Sequence, residues 1–161
     1  VPAPITEFFE LLEKTSWSVS IRQSTWLYPA LEIVHILGIV MVVGAAFMFD
    51  LRLLGYGRDL QVSGLSKHLL PWSQRGLILV IPSGILLFLT NAQSLGTDPV
   101  FWLKLILLVA AAVNVLIFHK FIFTKERGNR SENLPFPAKI SALVSITVWI
   151  AIIACGRLLA Y

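Results

Sequence analysis

The stretch YPALEIVHILGIVMVVGAAFMF, residues 28–49, is an apolar run with Glu32 and His35 set into its first half. At 1.5 Å per residue a helix over it crosses the ~30 Å hydrocarbon core of a bilayer. At helical pitch Glu32 and His35 fall on neighbouring positions of one face. Ionisable groups are expensive in hydrocarbon, so this pair is expected to face a protein interior and to carry a function.

Composition agrees with that reading. Of 161 residues, 57% are hydrophobic and only 14% charged, with a mean hydropathy of +0.79, too apolar for a soluble domain of this size. The formal net charge of +4 would suggest nucleic acid in a soluble protein. In a membrane protein, basic residues confined to loops are topology signals instead, so the expected partner is the lipid bilayer and not nucleic acid. The single cysteine, Cys155, rules out an intramolecular disulfide. The segment VPAPITEFFELLEK has no basic stretch ahead of an apolar core, so it does not read as a cleavable signal peptide.

Outward from the first run, residues 4–14 alternate apolar and charged positions with the period of an amphipathic helix. They are too few to span, and the expectation is a helix lying in the interface, with Trp17 and Trp26 at headgroup depth. Spans are expected at about 26–49, 68–90, 100–123 and 138–159. Pro82, Ser83 and Gly84 mark a kink in the second, and Asp98 with Pro99 opens the third as cap and first-turn proline. Short connections make the fold one all-α, up-and-down four-helix bundle over the whole chain, with helices of consecutive spans as antiparallel neighbours.

Basic residues set the orientation. Arg52, Arg58, Lys67 and Arg75 follow the first span, and Lys120, Lys125, Arg127, Arg130 and Lys139 follow the third; the opposite side holds only Lys14, Arg22, Lys104 and Arg157. The positive-inside rule then places both basic loops in the cytoplasm of a bacterial inner membrane and both termini outside.

With that topology His35 and Lys104 lie at similar depths near the outer third of the bilayer, and Arg157 joins their layer. Three readings follow. Glu32 could pair with Lys104 or Arg157 in a cofactor-free bundle, because buried charges are normally paired. His35 could instead be an axial ligand of haem b held between helices, with deprotonated Lys104 as second ligand and Arg22 or Arg157 facing the propionates. His35, Met41, Met48 and Cys155 are donors that suit copper, although Met41 and Met48 lie more than 100° around the helix from His35. His68 and His119 fall at the opposite, basic and wetter side and are expected not to be haem ligands.

The segments LEIVHILGIVMVVGAAFMFDLRLLG, residues 31–55, and FWLKLILLVAAAVNVLIFH, residues 101–119, resemble an uncharacterised family of bacterial four-span membrane proteins that carry the DLRLLG motif. More distantly, a histidine in the first span with a W-L-K-L pattern opening the third is similar to the HemJ-type protoporphyrinogen oxidases, four-span haem b proteins. The CopD-type copper-resistance membrane domain also has a comparable lysine-containing third span. The HemJ-type resemblance implies haem at His35 and Lys104 and a membrane oxidoreductase or electron carrier working with a redox partner; the CopD-type resemblance implies copper binding or transport. The first span departs from the HemJ-type pattern after Gly38, where DLRLLG replaces that family's basic and aromatic ending. Neither resemblance names a substrate, and a homo-oligomer is compatible with all three readings.

Overall fold

The computed structural model describes residues 3–57, 59–123 and 136–159. Arg58 and the basic segment that includes Lys125, Arg127 and Arg130 lie outside the described residues. The chain forms helices α1 (Ala3–Glu13), α2 (Ser16–Gln23), α3 (Leu27–Leu54), α4 (Val62–Thr90), α5 (Ala92–Thr97), α6 (Pro99–Ile117) and α7 (Phe136–Leu158), with a π-helical turn, Phe118–Phe123, continuing α6. Four of these, α3, α4, α6 with its extension to Lys120, and α7, are long and apolar enough to cross a membrane. The protein is an all-α membrane-spanning four-helix bundle.

Local chemistry explains the boundaries. α3 runs through the DLRLL segment and stops at Gly55, whose φ of 105° is left-handed. The Tyr56 amide reaches back to the Leu51 carbonyl at 3.0 Å, closing the last turn as a glycine C-cap does. At the start of α6 the Asp98 carboxylate accepts from the Val100 amide at 2.7 Å and Pro99 occupies the first turn. α4 continues unbroken through Pro71 and Pro82. Next to Pro82, the Ser83 hydroxyl donates to the Leu79 carbonyl one turn back.

Packing departs from the expected order of neighbours. α4 packs along α3, α7 packs on both α3 and α6, and the consecutive helices α4 and α6 meet chiefly through the stacked rings of Phe88 and Phe101, 5.1 Å apart. The α3–α4 seam is closed by two glycines. A Cβ on Gly38 would stand 2.6 Å from Val80 Cγ2, and one on Gly76 would stand 2.7 Å from Val42 Cγ2. Small residues let the two backbones approach this closely, which is how helices associate where lipid is as apolar as the side chains.

The residues expected as an interfacial helix form α1, and α2 follows it as a second short helix. Together they lie over the bundle end that holds α5. Phe9 is buried over Gly96 and meets Phe88 edge to face, the Ser18 hydroxyl donates to the Leu89 carbonyl at 2.9 Å, and Glu13 accepts from the Gln93 amide at 2.8 Å. Phe8, Leu11, Trp17 and Trp26 are exposed on the outside. At the other end Leu53, Phe118, Ala138 and Ala142 form the buried core.

Candidate functional site

His35 lies in the third turn of α3 with its ring against the backbone of Gly84 on α4. A Cβ there would come 3.0 Å from the ring's Cε1, so glycine is what admits the imidazole. Its Nδ1 is 3.0 Å from Ser83 Oγ. The serine's single hydrogen has three acceptors within reach: the Leu79 and Val80 carbonyls of its own helix and His35 Nδ1. Where the hydroxyl donates to Leu79, its nearest acceptor, Nδ1 is the donor to Ser83 Oγ and Nε2 carries the lone pair.

Lys104 enters the same layer from α6. Its Nζ stands 3.8 Å from where a Gly156 Cβ would be, and its charge acts on both His35 and Cys155. The buried Cys155 belongs to α7, so all four long helices contribute to this layer. Among the described residues Lys104 has no carboxylate partner; the ion pairs there are Lys14 with Glu10 and Arg22 with Glu13.

The other expected site residues are not gathered here. Glu32 is exposed, because α3 turns its His35 face onto α4 and leaves the neighbouring position outside. Arg157 is also exposed, and Arg22 holds Glu13 at 3.5 Å and bonds the Glu13 carbonyl, tying α2 to α1. Met41 lies on the glycine seam beside Gly76 and Met48 is exposed, so the two methionines do not converge with His35. His68 is exposed, and His119 faces its own helix with Nδ1 3.2 Å from the Val115 carbonyl.

A second polar layer went unread in the sequence. Asp50, 6% exposed, stands with Ser145, Ser141 and Asn114 on the wall of a cavity of about 110 Å³ that draws residues from α3, α4, α6 and α7. Ser145 stands beside the carboxyl, and Asp50 Oδ2 and the indole Nε1 of Trp149 are the buried side-chain atoms without a partner among the described residues. Asn114 and Ser141 bond reciprocally: Asn114 Nδ2 donates to the Ser141 carbonyl and Ser141 Oγ donates to Asn114 Oδ1, each at 3.1 Å. One feature carried a signal: Ser141 and Ser145 are one turn apart on a span.

A family profile described as "Family of unknown function (DUF6644)" matches residues 8–161, nearly the whole chain. The chain belongs to that family. No curated protein matches, and no solved structure matches. Membership of DUF6644 thus agrees with the likeness to an uncharacterised membrane family, while the HemJ-type and CopD-type likenesses rest on the motifs in the first and third spans alone.

Proposed function

We propose that this DUF6644 protein is a small b-type haem protein of a bacterial inner membrane, with His35 as the axial ligand and Lys104 as the second ligand or a stabiliser beside it. The observation that carries the proposal is the contact of His35 Nδ1 with Ser83 Oγ. Ligating histidines almost always spend their other ring N–H on a fixed acceptor, and Ser83 can take Nδ1–H and leave Nε2 for iron. The α3–α4 seam, which Gly38 and Gly76 close, leaves no room for a porphyrin, so the proposed haem lies on the side of His35 from which Lys104 enters. Lys104 reaches that space from α6, with Gly156 opposite it on α7. A haem bound there would supply one-electron chemistry for electron transfer or membrane oxidoreduction with a redox partner. The protein's own part is to fix the imidazole tautomer, exclude water and hold an amine nearby.

The test is the absorption spectrum of the protein purified in detergent from haem-replete cells. The wild type is expected to show a Soret band that shifts on reduction. His35→Ala should lose it, and Lys104→Ala should shift or weaken it. Full haem retention in folded His35→Ala overturns the assignment, as does a colourless wild-type protein carrying stoichiometric copper.

A further inference from the structure

The Asp50 cavity stands apart from the His35 layer, roughly 22 Å farther along α3 at 1.5 Å per residue. It lies one turn inside the end of a membrane span, at the C-terminal end of α3, where helix carbonyls add negative potential to that of a carboxylate. Among the described residues its only titratable groups are Asp50 and His119, and no Lys or Arg lines it. Arg52, two residues on, is turned to the loop, where its Nε donates to the Leu60 carbonyl at 2.6 Å.

We propose that this cavity is a binding site for one alkali-metal cation, with Asp50 Oδ2 as the charged ligand and Ser145, Ser141 and Asn114 supplying neutral oxygens. Two observations converge on it. Asp50 is buried with one oxygen unpartnered, and a carboxylate inside a membrane protein is neutralised either by a proton or by a bound cation. The oxygens around it are turned the right way. Ser141 spends its hydrogen on Asn114 Oδ1, and Ser145 lines the same wall. The lone pairs of these atoms remain for a cation.

Donor type and charge select the class of ion. The set is carboxylate, hydroxyl and amide oxygen, which suits hard cations, and no group of three His, Cys, Asp or Glu side chains is present among the described residues to hold a transition metal. A single carboxylate neutralises a monovalent ion, whereas a divalent one would leave a net charge next to hydrocarbon. A volume of about 110 Å³ accommodates an ion with a few waters at ~30 Å³ each, and is too small for a larger organic substrate.

The experiment is thermal unfolding of the purified full chain in detergent at fixed pH and ionic strength, with choline chloride replaced stepwise by NaCl or KCl. The wild type is expected to gain Tm saturably with Na+ or K+ and not with choline, because a cation that binds only the folded state stabilises it by mass action. The neutral isostere Asp50→Asn should abolish the response, and Ser145→Ala should raise the half-saturating concentration several-fold. Identical Tm in choline, Na+ and K+ overturns the proposal and leaves a proton as the charge on Asp50. A response unchanged in Asp50→Asn overturns it as well. Should Asp50→Asn fail to fold, Ser145→Ala and Asn114→Ala decide: an unmoved half-saturation point in both rejects the site. None of these readouts uses the Soret band, so the haem and cation assignments stand or fall separately.

Discussion

At the scale of single residues, Ser83 is where the haem assignment is most exposed to test, because its hydroxyl can both donate to its own helix and accept from His35. Ser83→Ala removes that acceptor while leaving the ligand itself in place, and loss of such a supporting hydrogen bond typically costs 10–100-fold in affinity for a bound metal. The expected outcome is haem content per protein lowered by roughly 10-fold at sub-saturating haem. Ser83→Thr keeps a hydroxyl and should restore it. Soret absorbance against protein concentration measures both, and equal haem content in the alanine and threonine variants would show that Ser83 only packs the helix. Legibility in the sequence divided along the same lines. His35 and Lys104 stood out because each interrupts the middle of an apolar run, and they do share a layer. Asp50 did not, since its position before Leu51 and Arg52 resembles the start of a loop, and only the continuation of α3 to Leu54 turns it inward. Glu32 shows the limit of reading by face: residues three apart diverge by about 60° around a helix, enough for one to meet α4 and the other to stay outside.

At the scale of elements, the four spans were legible from apolar length, and their order of contact was not. Short connections made α4 and α6 look like neighbours, yet α5 intervenes and each of the two packs closely on another helix. Glycines decide this, and their effect is testable. Gly38→Ala and Gly76→Ala each place a Cβ under 3.0 Å from a valine methyl and no more than 3.0 Å from backbone across the seam. The helices must separate, at a cost of about 1–3 kcal/mol each. Gly44→Ala on the same helix meets nothing within 4 Å and should be neutral or slightly stabilising, because alanine is the better helix former. Thermal unfolding in detergent followed by tryptophan fluorescence separates the two classes, and equal Tm for all three variants would show that the seam does not hold α3 to α4. The amphipathic pattern over residues 4–14 marked α1, but nothing in its periodicity announced that Phe9 would be buried over Gly96. That contact depends on α5, a six-residue helix with no repeating pattern to betray it.

At the scale of the whole molecule, the two polar layers sit at opposite ends of the bundle, so their biological meaning depends on which end faces the cytoplasm. Arg52 near the end of α3 and Lys120 in the turn that continues α6 lie at the end that carries the Asp50 cavity, and in the sequence Arg58 follows the first and Lys125, Arg127 and Arg130 follow the second. The end that carries α1, α2, α5 and the His35 layer has few basic groups, and the charge of Arg22 there is matched by Glu13. The positive-inside rule therefore predicts that the cation cavity opens toward the cytoplasm and the His35–Lys104 layer lies near the outer surface. Two exposed positions report on it in a Cys155→Ala background: Tyr56→Cys beyond α3 and Ser94→Cys in α5. A membrane-impermeant maleimide added to intact spheroplasts should label Ser94→Cys at once and Tyr56→Cys only after permeabilisation. The reverse pattern would invert the molecule and place the His35 layer on the cytoplasmic side, where a redox partner would have to be a cytoplasmic protein.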